Sequence, residues 1–389
     1  MVAVSVQPSA AHAALSFAVV ATTLTVASCA STPAGAPAPV PTPVLAERAP
    51  RVEPVESPTE AATPSVCTAA PRRWAGIQAN ASAARGPKGL GAAYMTEARE
   101  IFYVPSLGVD PTKVARGIGT ALAFDGAGEP FVSYEAVGSG AARVAEQSGG
   151  SWRDVRVGVH GGPTVPILWA GSATVFWAER GSGIHMARRD ASGTWDESKV
   201  PGSRAEATLT ATTEGDRIVV ASEGEPVEVW SALPGQPFQR ESISESDGVA
   251  PFLVSDQRSA VIGLVAGAPR AGERRFALLR RDAASGFRTV ASTELATDER
   301  IVGAGEGVAV WFVTGPSGSR VLWAHGGSLR SAALSLASDD GTPLRPPVSV
   351  RAFRDGACLT VVRVHVDGMV TPAAWTTVID TLAWPPGPT

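Results

Sequence analysis

Side chains able to do chemistry are few in this chain, and they are scattered. Tyr94, Tyr103 and Tyr134 are its only phenols. Tyr134 stands beside Glu135, the pairing that a phenolate nucleophile and its carboxylate base would require. Neighbouring residues of a regular strand point to opposite faces, however, so the two cannot meet. Of 33 basic residues three are lysine (Lys88, Lys113, Lys199) and the rest arginine, so any three arginines could be nominated as an anion clamp and none stands out. His160, His185, His325 and His365 are isolated, with no HExxH and no Cys/His pair at zinc spacing. Asp339-Asp340-Gly341 lacks the alternating oxygen ligands of a calcium loop and reads as a turn. There is no Gly-x-Ser-x-Gly elbow, phosphate loop or dinucleotide fingerprint. The sequence thus nominates no catalytic residue, no metal ligand and no cofactor.

The three cysteines are informative by position. Residues 13–28 form an apolar run of signal-peptide length that ends Val26-Ala27-Ser28-Cys29. A branched apolar residue, two small ones and a cysteine resemble a bacterial lipobox, although residues 1–12 carry no Lys or Arg. The resemblance implies a signal peptide over 1–28, cleaved before Cys29, and a lipid on the Cys29 thiol that anchors the chain to a membrane. Ala30 is not the aspartate that retains many such proteins at an inner membrane, which favours the outer membrane of a cell envelope. Cys67 and Cys358 remain as an even pair in an oxidising compartment, where a disulfide is the default and two buried thiols the alternative. A bridge would tie the start of the folded region to its end.

Residues 29–65 read as a linker: Pro37, Pro39, Pro41 and Pro43 alternate with small residues, which favours extended polyproline II over a packed core. Beyond it the elements are strands. From about residue 116 six units recur, each a strand, a short polar hairpin and a second, strongly apolar strand, as in Thr120–Phe124 followed by Pro130–Tyr134. A third strand follows, and then a bulky residue in a constant setting. Trp152, Trp195, Phe238, Phe287, Leu329 and, more loosely, Trp375 mark intervals of 43, 43, 49, 42 and 46 residues. Four strands per interval is the content of one blade of a β-propeller, and the markers are best placed as wedges between neighbouring sheets. The fold class expected is all-β, a propeller of six or seven four-stranded blades over 116–389. Residues 66–115 form either a divergent seventh blade or an N-terminal strap, with Arg72-Arg73-Trp74 a candidate for the strand that closes the ring.

The turn before two of the markers carries a further likeness. Asp190-Ala191-Ser192-Gly193-Thr194-Trp195 and Asp282-Ala283-Ala284-Ser285-Gly286-Phe287 resemble a degenerate Asp-box, the S-x-D-x-G-x-T-W turn of sialidase-type (BNR) repeats. In that element the aspartate fixes the hairpin and does no chemistry. Arg188-Arg189 and Arg280-Arg281, just upstream, read as rim charges pairing with Asp190 and Asp282. The resemblance implies a propeller scaffold over about 116–389 and little about activity, because a fold of this kind serves many functions. A net charge of −4 and a pI near 5.8 argue against a nucleic-acid surface. The expectation is a membrane-anchored envelope lipoprotein whose propeller is a non-catalytic binding or scaffold module for a protein or glycan. The alternative is a glycan-active hydrolase related to sialidases.

Overall fold

The computed structural model describes Cys67, 71–74, 77 and 81–384, apart from 180, 205–207, 225, 246, 257–258, 268–273, 326, 335–336, 338–339 and 368–373. Cys29 and the whole of the signal and linker regions lie outside the described residues. Among those residues the structure is all β, and its strands assemble into seven four-stranded sheets.

Blade one comprises Ala81–Gly86, Gly89–Met95, Glu100–Val104 and the first half of Thr112–Phe124. The second half of that long strand opens blade two, which continues with Pro130–Ala136, Ala142–Ser148 and Ser151–Arg156. The strand changes sheets between Arg116 and Gly117, and a bulge between Ile118 and Ala121, where Gly119 takes φ 63°, follows at once. Such a bulge, with glycine in the left-handed region, bends a strand without breaking it. Blades three, four and five begin with Thr164–Trp169, Leu209–Glu214 and Val249–Ser255, and each adds three antiparallel strands. Blade six runs from Arg300–Glu306 to Ser328–Ala333.

Blade seven has only three strands of its own: Ser349–Asp355, Cys358–Asp367 and Ala374–Ala383. Its fourth is the N-terminal Arg72–Arg73, which pairs antiparallel with Ile379 and Val378. Trp74 follows, buried, and its N–H donates to the Thr377 carbonyl at 2.8 Å. Beside this seam Cys67 is disulfide-bonded to Cys358, with Cα atoms 5.5 Å apart. The ring therefore closes by lending its first strand to its last blade. Residues 81–116 are a blade like the others, so the ring has seven blades rather than six and starts at Ala81 rather than 116.

The apolar core is divided among the gaps between blades. Second strands are buried along their length, most completely Ala260–Ala266, because they pack on both faces. The markers stand where these gaps narrow. Trp152 of blade two meets Tyr103 of blade one, ring centroids 5.3 Å apart, and Trp195 of blade three meets Phe131 of blade two at 6.3 Å. Phe238 of blade four lies 6.2 Å from Trp169 and 6.1 Å from Phe176, both of blade three. Phe287 is fully buried against blade four, and Leu329 packs against the core of blade five. Each of these five residues stands at the start of its blade's outer strand or immediately before it. Trp375 does not: it lies in the third strand of blade seven, since the outer strand there comes from the N-terminus.

Candidate functional site

The first strand of every blade borders the first strand of the next, and the seventh borders the first, so these strands form the inner wall of the ring. Between blades six and seven the approach is closest. Their inner strands pair in parallel, Gly303 opposite Val350, and a Cβ on Gly303 would run into the Val350 carbonyl. The wall encloses a central cavity of about 640 Å³ that extends towards the ends of the first strands and their hairpins.

The lining is asymmetric. Blades two and three present Leu122, Ala123, Val165, Ile167 and Leu168, the last still 39 % exposed. Blades four and five add the hydroxyls of Thr212, Thr213 and Ser255. Across the ring, blades six, seven and one contribute Glu306, Arg351 and Arg85. Arg85 is engaged already, with Nη1 3.2 Å from Asp355 Oδ2 and Nη2 donating to Thr360 Oγ1 at 3.2 Å. Asp125, the other charged residue of the lining, accepts N–H bonds from Ala127 and Glu129 and a bond from Arg189 Nη1 at 3.2 Å. Glu306 and Arg351 make no hydrogen bond or ion pair with any described residue.

Both side chains are exposed to water within the cavity that the ring of blades forms. Enclosure pushes the Glu306 carboxyl above its ordinary value, with Arg351 and then Arg85 drawing it back. Enclosure likewise pushes the Arg351 guanidinium down, and Glu306 holds it up. Two unlike charges thus face one cavity, both open to its water and neither bonded to a described residue.

The residues singled out in the sequence fall elsewhere. Tyr134 is buried between blades one and two, where its hydroxyl donates to Asp154 Oδ1 at 2.5 Å, and Arg143 Nε donates to the same oxygen at 2.9 Å. Burial and then the Asp154 bond push its phenol far up. Tyr94 stacks on Phe102, and Tyr103 packs on Trp152 with its phenol pushed up to about 12 by burial. No tyrosine lines the cavity among the described residues, and Phe124 is its one aromatic ring.

His185 stacks on Trp177, with ring nitrogens 3.0 Å from Glu179 and 3.3 Å from Glu197. His160 and His325 are exposed. His365 is buried, its Nδ1 2.6 Å from the Arg345 carbonyl and its Nε2 3.4 Å from Arg363, which is itself paired with Asp380. Asp340 Oδ1 accepts the Thr342 N–H at 2.9 Å, which is a turn. No cluster of three or more metal-ligating side chains occurs among the described residues.

The arginine pairs do not bond to the turn aspartates. Asp190 folds onto its own turn and accepts from Ser192 Oγ at 2.7 Å and the Thr194 N–H at 2.8 Å. Asp282 does the same with Ser285 and Ala284. These bonds, the serine hydroxyl first in each case, hold both carboxyls below the usual range. With the aspartates occupied, Arg189 of blade three reaches back to Asp125 and Glu146 of blade two, and Arg281 of blade five reaches Glu214 and Glu241 of blade four. Arg188 lies over the Trp169 ring at 4.9 Å, and Arg280 pairs with Asp256 at 2.8 Å. These are clasps within and between blades.

Comparison with known proteins places the fold. The chain is similar in structure to an ancestral GH74 enzyme, with TM-score 0.52, 11 % identity, and coverage of 83 % of this chain and 49 % of that one. It spans about half of that enzyme's length, and at this identity the likeness shows the fold alone. Looser likenesses are to the SapL1 lectin (TM-score 0.43, 15 % identity, covering 66 % of this chain and 95 % of that one) and a subtype N10 neuraminidase-like protein of the strain A/little yellow-shouldered bat/Guatemala (0.43, 10 %, 78 % and 95 %). This chain is a β-propeller. Protein-family models and curated proteins gave no match.

Proposed function

We propose that this protein is a lipoprotein of a bacterial cell envelope, anchored through Cys29 and held off the membrane by the 29–65 linker. Its propeller binds a ligand in the central cavity and does no chemistry on it. The observation that carries this reading is the unbonded pair Glu306 and Arg351 facing one enclosed space of about 640 Å³. Two unlike charges that no described residue satisfies, set in one concave space, offer a ligand two polar partners.

Glycan hydrolysis is the weaker reading. Glycosidases commonly employ a pair of available carboxylates, whereas the cavity offers only Glu306, because Asp125 is bound into its own turn and to Arg189. The tyrosines that a sialidase-like nucleophile would need are buried in blade interfaces. A glycan-array and glycosidase screen on mature chain carrying Cys29→Ser tests the point. The expected outcome is no turnover of any glycoside. Turnover of any glycoside that disappears in Glu306→Gln would overturn it. Anchoring is tested separately: acyl label should enter the wild type and not Cys29→Ala, and a wild type that takes up no label contradicts a lipid on Cys29.

A further inference from the structure

The cavity is not only charged but divided. Its apolar side, where Leu168 of blade three stands exposed, lies across the ring from the charged wall that blades six and seven supply. A ligand that fills it must present an apolar body to one side and charge to the other. On the charged side the demands are of opposite sign. Arg351 carries a planar fork of N–H donors without an acceptor, which suits a carboxylate. Glu306 carries lone pairs without a donor, which suits an ammonium group. Arg85 is held by Asp355 and Thr360 and does not compete for the same acceptor. Sugars fit this lining poorly, because the one aromatic ring, Phe124, gives little stacking surface for their C–H faces.

We propose that the central cavity binds a small zwitterion with an apolar side chain, its carboxylate on Arg351, its ammonium on Glu306 and its side chain against the exposed Leu168. A free apolar α-amino acid and a short apolar peptide share this chemistry. The inference rests on the reading of the cavity as a ligand site. It deepens that reading by naming what is bound.

Titration calorimetry on the mature Cys29→Ser chain, disulfide oxidised, tests it with leucine, phenylalanine, N-acetylleucine, leucinamide, glutamate and the dipeptide Leu-Leu as probes. Leucine or phenylalanine should bind. N-acetylleucine, which lacks the ammonium, and leucinamide, which lacks the carboxylate, should each bind about tenfold more weakly or worse, as should glutamate. Arg351→Gln should weaken leucine by a similar factor and leave leucinamide unchanged. Glu306→Gln, which preserves shape, should do the converse with N-acetylleucine. Tighter binding of Leu-Leu than of leucine would identify the peptide as the source.

A third variant, Thr213→Trp, places bulk in the cavity, and thermal melts confirm that all three variants fold. If no zwitterion binds, while a glycan found on the array is lost in Thr213→Trp, the zwitterion inference is overturned and the cavity reading stands. If neither zwitterions nor any array ligand respond to Thr213→Trp, both are overturned.

Discussion

Opening the seam should show most plainly how this ring is held. The Cys67–Cys358 bond joins residues 291 apart in sequence, nearly the whole folded unit. By chain-entropy scaling, closing a loop of that length removes on the order of 6 kcal/mol of freedom from the denatured chain. The non-covalent seam beside it is slight: two pairs of strand residues, one N–H bond from Trp74 and the burial of its indole. A Cys67→Ser/Cys358→Ser double variant should therefore lose several kcal/mol. For a unit of about 300 residues unfolding at ~2.1 cal/mol/K per residue, 6 kcal/mol corresponds to a fall in Tm of about 9 °C. Calorimetric melts of the oxidised protein, the reduced protein and the double variant provide the measurement. Reduced protein and variant should coincide, both well below the oxidised form. If all three melt within about 2 °C of one another, the bridge does not close the ring and the reasoning fails.

Four further outcomes follow from packing and charge. Phe287→Ala, which empties a fully buried wedge between blades four and five, should cost about 3–5 kcal/mol by denaturant titration, and Trp152→Ala, at a half-buried site, should cost less. Gly303→Ala puts a methyl against the Val350 carbonyl and should lower Tm sharply or abolish soluble expression, while Gly307→Ala should be much milder. Arg281→Ala leaves Glu214 and Glu241 uncompensated and should cost about 1–2 kcal/mol, against roughly 0.5 or less for the more exposed Arg280→Ala. Burial, and then Arg363, depress the His365 imidazole to about 4, against the bond to Arg345 that raises it. The unfolded chain then binds the extra proton between about pH 4 and 6.5, so stability falls as pH drops through that window, by on the order of 3 kcal/mol. The Asp380 carboxyl, raised by burial, acts in the opposite sense at the acid end. The readout is accordingly the difference between wild type and His365→Gln, which should be constant above about pH 7 and change as pH falls below it. A difference independent of pH contradicts the assignment.

How far the sequence discloses this molecule depends on whether a feature repeats. Trp152, Trp195, Phe238, Phe287 and Leu329 recur because every blade must wedge against the one before it, and that physical need makes the period visible. Blade one lacks such a marker, so only its strands, among them Glu100–Val104, betray it. Trp375 misled because the period continues while the topology changes: the outer strand of blade seven is borrowed from Arg72–Arg73. Asp190 and Asp282 were legible as turn residues, but a carboxylate that saturates itself on its own backbone is unavailable to a neighbouring arginine, which sequence proximity does not reveal. The cavity was the least legible part. Glu306 reads as one more hairpin residue and Arg351 as one of many arginines. Only ring closure sets them in one space, and each comes from a different blade. A signal that could have found Arg351 is its charge inside an inner strand, where the equivalent residues include Ser82, Thr120, Val165 and Thr210.

The most direct test of the account is the electron density inside the cavity of mature Cys29→Ser protein crystallised with saturating leucine. The account predicts a zwitterion there, with carboxylate on Arg351 and ammonium on Glu306. A cavity holding water alone, with leucine bound at another face or not at all, would contradict it.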